Sequence, residues 1–118
     1  MGQKDENFFN IDDHEGGVPR ELAAGVTARI FPGAQAMVSV VRLDPNSHTK
    51  SHAHPQEQWG LLLSGSAMRI QGGETIPVGP GDFWVTPGGV EHNIIAGPDG
   101  AVALDVFAPP RPDYARTA

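Results

Sequence analysis

Short runs in which apolar and polar residues alternate recur along most of the chain. The clearest are GVTARIF (25–31), AMVSVVRL (36–43), QWGLLLS (58–64), DFWVT (82–86) and AVALDVF (101–107), with shorter runs at AMRI (67–70), TIPV (75–78) and HNII (92–95). Alternation with a period of two, in runs rich in valine, isoleucine and aromatic residues, is typical of β-strands. No window follows the period of a helix, and RELAA (20–24) is long enough for one helical turn at most. The pattern predicts an all-β protein.

Glycine and proline separate these runs. The chain has 15 glycines and 11 prolines, spread along its length rather than pooled in a linker. Because the runs recur about every 8 to 12 residues, we expect an antiparallel sandwich or barrel. We predict a single domain over residues 1–118, with residues 1–17 and 109–118 as arms laid over the barrel.

Charge and composition narrow the range of functions. The net charge is −6, which disfavours nucleic acid and anionic membrane surfaces as partners. No apolar run approaches the roughly 20 residues of a membrane-spanning helix, and the polar N-terminus has no signal-peptide core. The chain contains no cysteine, so disulfides and thiolate metal sites are excluded. We expect a cytoplasmic protein.

The stretch HAHPQEQ (52–58) places two histidines one residue apart. Alternate residues of a strand face the same side, so His52 and His54 can bind one metal ion. Gln58 shares their parity, although Pro55 predicts a bend before it. An isolated histidine pair on an exposed strand is also compatible with simple solvation, so the pair alone does not establish a metal site.

A second segment strengthens the metal hypothesis. In GPGDFWVTPGGVEHN (79–93), Pro87 ends a predicted strand, and the two glycines after it permit a sharp reversal. His92 then begins the next strand. In a small barrel, His92 is expected to face His52 and His54 across the interior.

These two segments resemble the two motifs of the cupin family. HAHPQEQWGLLLSG matches the first motif with its histidines and its closing glycine, Gly65, but Gln58 stands where that motif usually has glutamate. The first motif's opening glycine falls on Asn46 and the second motif's final asparagine on Ala96. GDFWVTPGGVEH matches the second motif at Gly81, Pro87, Gly89 and His92. The resemblance implies a double-stranded β-helix, or jelly-roll barrel, that holds one divalent metal through His52, His54, Gln58 and His92.

A narrower resemblance involves the C-terminal part of the chain. HPQEQWGLLLSG and ALDVFAPPRPDY are similar to stretches of the pectin-degradation cupins of the KdgF type. Members of that group open the ring of 4,5-unsaturated uronic acids to linear keto-deoxyuronates. The resemblance implies a non-redox isomerase or lyase-type metalloenzyme with a small anionic substrate. Cupins of this sort usually pair through an outer sheet, so it also implies a homodimer.

The run AVALDVF is informative by itself. Alternation places Ala101, Ala103, Asp105 and Phe107 on one face, which suits the wall of a ligand cavity, and Val102, Leu104 and Val106 on the other, as sandwich core. A carboxyl group in an apolar barrel should have a raised pKa and could transfer protons near neutral pH. The alternative is a surface carboxylate at a strand end.

Arg111 follows two prolines that hold it near the barrel mouth, where a guanidinium can bind a carboxylate through two parallel hydrogen bonds. An ordinary solvated arginine is the alternative. The KdgF-type resemblance implies that Asp105 is the general acid/base, Phe107 a pocket wall and Arg111 the carboxylate anchor.

The amide at Gln58 bears on the reaction type. Three neutral imidazoles and an amide leave the +2 charge of a metal uncompensated, which favours Lewis-acid chemistry on an anionic ligand over oxygen chemistry. Glu57 swinging in as the ligand is an alternative. Zinc, nickel, iron or manganese would each suit these donors. The competing functions are an iron-dependent dioxygenase of the small-cupin type and a non-catalytic metal- or ligand-binding cupin.

Overall fold

The computed structural model describes residues 6–114, which form seven strands and no helix. The strands are β1 (Val18–Ala23), β2 (Val26–Pro32), β3 (Met37–Leu43), β4 (Glu57–Gln71), β5 (Glu74–Val78), β6 (Phe83–Thr86) and β7 (His92–Ala108). All strand pairs are antiparallel, in the order β1-β2-β3-β7-β4-β5, and β6 also pairs with β4. The prediction of an all-β fold is confirmed. None of the described segments is a helix that could cross a membrane.

In the segment 20–24, residues 20–23 belong to a strand and residue 24 to the turn after it, so no helical turn forms. β1 pairs with β2 from Val18 opposite Ile30 to Ala23 opposite Val26. The reversal between the strands contains Gly25, whose φ of +78° favours glycine. The sequence pattern missed β1 because its side chains are mostly exposed or half-buried, so its apolar alternation is weak.

β4 and β7 each join two runs that the sequence pattern separated. Residues 57–65 of β4 pair with 101–108 of β7, and residues 67–71 pair with 92–96. Register shifts lie on both sides of Gly65, between 62 and 64 and between 65 and 67. Gly65 has φ +82°, and an added Cβ would stand 2.0 Å from the Gly100 carbonyl oxygen. The long antiparallel pair of β4 and β7 therefore changes course at Gly65 and supplies side chains to both sides of one interior.

The core fills this interior. It contains Val26, Ala28 and Ile30 from β2, Met37, Val41 and Leu43 from β3, Leu62 from β4, and Ala101, Ala103 and Phe107 from β7. The inward position of Ala101, Ala103 and Phe107 agrees with the predicted cavity face of β7.

The other face of β7 differs from the prediction. Leu104 and Val106 are half-buried on the outside of the sheet, where their neighbours in register include Leu61 and Trp59 of β4. We call the residues Trp59, Leu61, Phe83, Val85, Leu104 and Val106 the outer apolar face. Trp59 is 44% exposed and Phe83 69% exposed, so this face is an exposed surface and not sandwich core.

The described part of the N-terminal arm lies beside this face. The Phe9 ring is 4.8 Å from the ring of Phe31 on β2, and Arg42 of β3 donates a hydrogen bond to the Ile11 carbonyl oxygen. The described part of the arm, residues 6–17, therefore covers the sheet next to β2 and β3.

Candidate functional site

The interior of the barrel contains a cavity of about 290 Å³. Both paired stretches of β4 and β7 contribute to its wall, and the C-terminal arm contributes Arg111 and Tyr114. His52, Gln58, His92, Asp105, Phe107 and Arg111 all line this cavity. The structure thus brings six of the seven sequence-predicted site residues to one cavity, and the seventh, His54, stands beside them in the histidine cluster.

Three histidines form the most specific feature of the cavity. The ring centroids of His52 and His92 are 4.5 Å apart, and that of His54 is 5.6 Å from the first and 4.9 Å from the second. One potential ligand nitrogen from each histidine lies within 4.8 Å of the others. This grouping is compact enough to hold a divalent metal ion.

The backbone positions of the three histidines differ from the expected ones. His52 and His54 precede β4, and a bend at Pro55 and Gln56 separates them from Gln58. His52 and His92 exchange two main-chain hydrogen bonds of 3.1 and 2.9 Å, so these histidines are neighbours on one wall. The expectation that they face each other across the interior was therefore wrong.

Each histidine is oriented by a hydrogen bond to a main-chain carbonyl. The Nδ1 atoms of His52, His54 and His92 lie 2.8, 3.0 and 2.8 Å from the carbonyl oxygens of Lys50, Gln56 and Val90. A carbonyl oxygen can only accept, so each Nδ1 carries the proton and each Nε2 presents its lone pair. The Nε2 atom of His92 is buried and has no partner. Such unsatisfied lone pairs, fixed by carbonyl contacts, fit a metal centre.

Gln58 places an amide oxygen beside the histidine cluster. The Gln58 residue is 4% exposed, and its side-chain Oε1 lies 3.0 Å from Nε2 of His54. Its side chain also hydrogen-bonds Asp105, whose carboxylate accepts from the amide NH₂ group. Oε1 and Nε2 of His54 are then two acceptors held together, which a cation between them would satisfy. Glu57, the alternative ligand, is exposed and accepts a 3.0 Å hydrogen bond from Trp59 instead.

Burial keeps His54 and His92 in the form that binds metal. It lowers the pKa of His92 to about 4, against the opposing hydrogen bond to Val90. Burial also lowers the pKa of His54, and the positive charge of Arg111 adds to this. Both imidazoles are neutral at neutral pH, as metal binding requires.

Asp105 faces the cavity from β7, opposite Ser39 of β3 and Gly60 of β4. Loss of hydration in the interior raises its pKa to about 6, although Arg69, the Gln58 hydrogen bond and Arg111 all favour the charged form. A carboxyl group with this pKa can accept and return a proton near neutral pH. The alternative of a surface carboxylate does not describe its position.

Arg111 and Phe107 close one side of the cavity. The Phe107 ring is 2% exposed and lies 5.5 Å from the His54 ring. The Arg111 guanidinium stacks 3.8 Å from the Tyr114 ring centre, and its Nη2 is 3.3 Å from the Asp113 carboxylate. Its Nη1 is buried without a partner. Arg111 therefore retains an unsatisfied donor beside the cavity.

Three other residues that line the cavity were not among the predicted site residues: Arg69, Trp84 and Tyr114. Arg69 is 5% exposed and has the same inward parity as buried Ala67, so a charged residue on an apolar strand face was the available signal. The Trp84 indole crosses Gly60, where a Cβ would lie 2.5 Å from it. Tyr114 stacks with Arg111 and lies 4.8 Å from the Arg20 guanidinium.

The sequence is similar to known cupin sequences. The cupin-domain family model matches residues 39–107. Oxalate decarboxylase of Bacillus subtilis is 36% identical over 99 residues, which cover 79% of this chain and 25% of that protein. The chain thus spans about a quarter of the length of this curated relative.

Solved structures agree with the fold. KdgF from Halomonas sp. superposes with a TM-score of 0.77 at 25% identity, covering 86% of this chain and 93% of that one. An RmlC-like cupin from Shewanella frigidimarina gives a TM-score of 0.80 at 21% identity, covering 97% and 99%. The expected cupin jelly-roll barrel is confirmed, and the described structure is similar to KdgF over most of its length.

Proposed function

The chain belongs to the cupin family, and from this premise we propose that it is a metal-dependent enzyme that opens the ring of 4,5-unsaturated uronic acids without redox change. The observation that carries the proposal is the joint placement of a proton-transfer group, Asp105, and a carboxylate-binding group, Arg111, around the three-histidine cluster. Similarity to KdgF supports this choice among cupin activities.

Arg111 would anchor the substrate. Its buried Nη1 lacks a partner, and a substrate carboxylate can accept from it while Asp113 holds Nη2. The Phe107 ring, which lies between His54 and Tyr114, would form the apolar wall against the sugar ring. The cavity of about 290 Å³ has room for a monosaccharide-sized acid.

Asp105 would move the proton. As a carboxylate it accepts the proton of the anomeric hydroxyl, while the bond from the anomeric carbon to the ring oxygen breaks. The electron pair remains on the ring oxygen, so an aldehyde and an enolate form. Asp105 then returns the proton to carbon 4, and the enolate becomes a ketone. The sum is an isomerisation in which no oxidant is consumed.

The proposed metal ligands are His52, His54, Gln58 and His92. A divalent ion held there would act as a Lewis acid toward a substrate oxygen, and its neutral ligands would leave its +2 charge available to an anion. Zinc, nickel, iron and manganese are all compatible with three imidazoles and an amide oxygen.

The test is turnover of a 4,5-unsaturated uronate, followed by loss of its ultraviolet absorbance. Asp105→Asn should lower kcat by a factor on the order of 10²–10⁴ with unchanged metal content, because the base is removed and the shape is kept. Arg111→Lys should raise KM more than it lowers kcat, because the planar fork binds ground state and transition state alike. Arg29→Lys, on β2 outside the cavity, is the control.

Other outcomes point to the competing functions. Turnover that requires dissolved oxygen would favour the iron dioxygenase. Binding of uronates without their depletion would favour a non-catalytic cupin. Wild-type activity in both variants would remove Asp105 and Arg111 from the proposed roles.

We also propose a cytoplasmic homodimer that pairs through the outer apolar face. Exposed apolar side chains on one sheet, aromatic ones above all, are typical of a protein interface, and Trp59, Phe83 and Val85 supply them here. The described part of the N-terminal arm packs against Phe31 of β2 and Arg42 of β3, next to this face.

A further inference from the structure

Arg69 is a buried cation for which the proposed reaction has no role. It lies on the β4 segment that forms the wall nearest His92, and it is 5% exposed. Nε and Nη2 donate to Gln71 Oε1 at 3.3 Å and Thr86 Oγ1 at 2.9 Å, and the guanidinium lies 5.4 Å from the Trp84 ring centre. These partners are neutral. Within residues 6–114, the guanidinium that forms an ion pair is that of Arg111, not that of Arg69.

The neighbours of Arg69 do not depend on it. Thr86 donates a 2.6 Å hydrogen bond to Gln71 Oε1, and Gln71 donates a 2.8 Å bond to the Val85 carbonyl. Removing Arg69 would leave both side chains satisfied. Burial lowers the pKa of Arg69 and the negative charge of Asp105 opposes this, but the two side chains form no ion pair within residues 6–114. A buried charge that no opposite charge contacts costs folding free energy, so the Arg69 guanidinium is free to pair with an anion from outside the chain.

The two buried guanidinium groups reach the cavity from different elements. Arg69 lies on β4 opposite Ile94 of β7, whereas Arg111 lies on the C-terminal arm and stacks on Tyr114. Both line the same cavity as His52, His92 and Asp105. A small ligand held by Arg111 in this cavity therefore has a second cation in the surrounding wall.

We propose that Arg69 contacts an anionic oxygen of the ligand, so that the cavity takes a small acid with anionic oxygens at two places. The carboxylate binds at Arg111. The second anionic oxygen binds at Arg69 and is either a second carboxylate or, in a version that rests on the proposed function, the enolate oxygen formed on ring opening. Trp84, whose buried Nε1 has no acceptor, stands beside this position.

The second-carboxylate version is tested by calorimetric binding of inert probes. Succinate and its monomethyl ester have the same chain but differ in one negative charge, and both are titrated into the zinc-loaded and metal-free protein. The wild type should prefer the diacid by about tenfold or more in both forms. Arg69→Met should reduce this preference to about twofold, and Arg69→Lys should give an intermediate value because the charge remains without the fork.

Arg29→Met is the matched control, since it removes one positive charge outside the cavity. Thermal unfolding without ligand accompanies every variant. Arg69→Met should unfold no earlier than the wild type, because its neighbours keep their hydrogen bonds. If Arg69→Met fails to fold, Arg69→Lys decides: an unchanged diacid preference in that variant overturns the proposal.

The enolate version has a separate signature. There the wild type shows no diacid preference, and Arg69→Lys lowers kcat for an unsaturated uronate at least tenfold with little change in KM, because the contact forms only in the transition state. Unchanged kcat together with no diacid preference makes Arg69 a structural counter-charge for Asp105 and overturns the inference.

These results separate the inference from the proposed function. An Arg69-dependent diacid preference without any uronate turnover would support the anion contact and reject the ring-opening activity. Uronate turnover in which Arg69→Lys behaves as the wild type, with no diacid preference, would keep the activity and reject the contact.

Discussion

At the scale of single residues, Gln58 connects the two halves of the site. Its carbonyl oxygen lies beside Nε2 of His54, and its amide group donates to Asp105. A carboxylate in this position could not donate, and it would place a second negative charge next to Asp105. The neutral amide therefore contacts both a proposed metal ligand and the proposed proton-transfer group.

Replacement of Gln58 by glutamate tests this double contact. Gln58→Glu should hold a divalent metal at least as tightly as the wild type, because the added charge compensates the ion. Affinity for an anionic substrate should fall, because two carboxylates then compete for one cation, and the pKa of Asp105 should rise further. Metal and uronate titrations measure both effects.

The control for this variant is Gln35→Glu, which adds the same charge at an exposed position between β2 and β3. Tighter uronate binding by Gln58→Glu than by the wild type would contradict the charge argument.

The histidine cluster gives a prediction of metal content and its dependence on pH. His54→Ala should lose most of the bound metal, whereas His48→Ala, an exposed histidine outside the cluster, should keep it. In the wild type, affinity should fall as pH decreases, because protons compete for Nε2. Burial lowers the pKa of His92 to about 4, so this ligand stays available well below the usual histidine pKa of about 6.5.

Metal analysis after dialysis between pH 4 and 7 provides the measurement. Full occupancy in His54→Ala would remove that residue from the ligand set.

The sequence predicted much of this site because its geometry follows strand alternation. Parity alone placed Asp105 and Phe107 on the cavity side of β7, and the structure agrees. Arg69 was missed because a charged residue in a strand is normally assigned to the solvent side. Its inward position depends on the register of β4 against β7, which no local pattern contains.

At the scale of elements, the continuous β4 and β7 strands were the main difference from prediction. Glycine and polar residues at 64–66 and 97–100 indicated loops. Both segments instead lie within the strands β4 and β7, where the pairing of the two strands is irregular. A local pattern cannot distinguish a loop from a bulge, because both favour glycine at positive φ. Short-range signals therefore found the paired segments but not their continuity.

Substitution of Gly65 tests how closely β4 and β7 approach each other. Gly65→Ala should destabilise the protein through two effects: φ of +82°, and a Cβ that would lie 2.0 Å from the Gly100 carbonyl oxygen. Gly73→Ala is the matched control, since its φ is +83° with no atom within 4 Å of the added Cβ. The control should cost about 1–2 kcal/mol from φ alone.

Gly65→Ala should cost roughly 1–3 kcal/mol more than the control, because the backbone must shift to relieve the close contact. Urea unfolding measures both variants. Equal losses would mean that the two strands do not approach at Gly65.

At the scale of the whole molecule, the sheet has two faces of different character. The inner side of β7 and β4 carries Asp105 and Gln58, and the outer side of the same strands carries Leu104, Val106 and Trp59. Because successive residues point to opposite sides, pairing on the outer side would stiffen the strands that hold the site without occluding it. This arrangement favours association through the outer apolar face.

The proposed homodimer can be tested by sedimentation. The wild type should sediment as twice the 12.5 kDa chain, and Phe83→Glu should shift it toward the monomer, because burying a carboxylate in the interface is unfavourable. Phe83 is 69% exposed in one chain, so this change should leave the fold and the metal content intact. Met68→Glu, at a 41% exposed apolar residue on the other part of β4, should remain dimeric. A monomeric wild type, or a Phe83→Glu variant that stays fully dimeric, would place any association elsewhere and leave the aromatic side chains of this face without a partner.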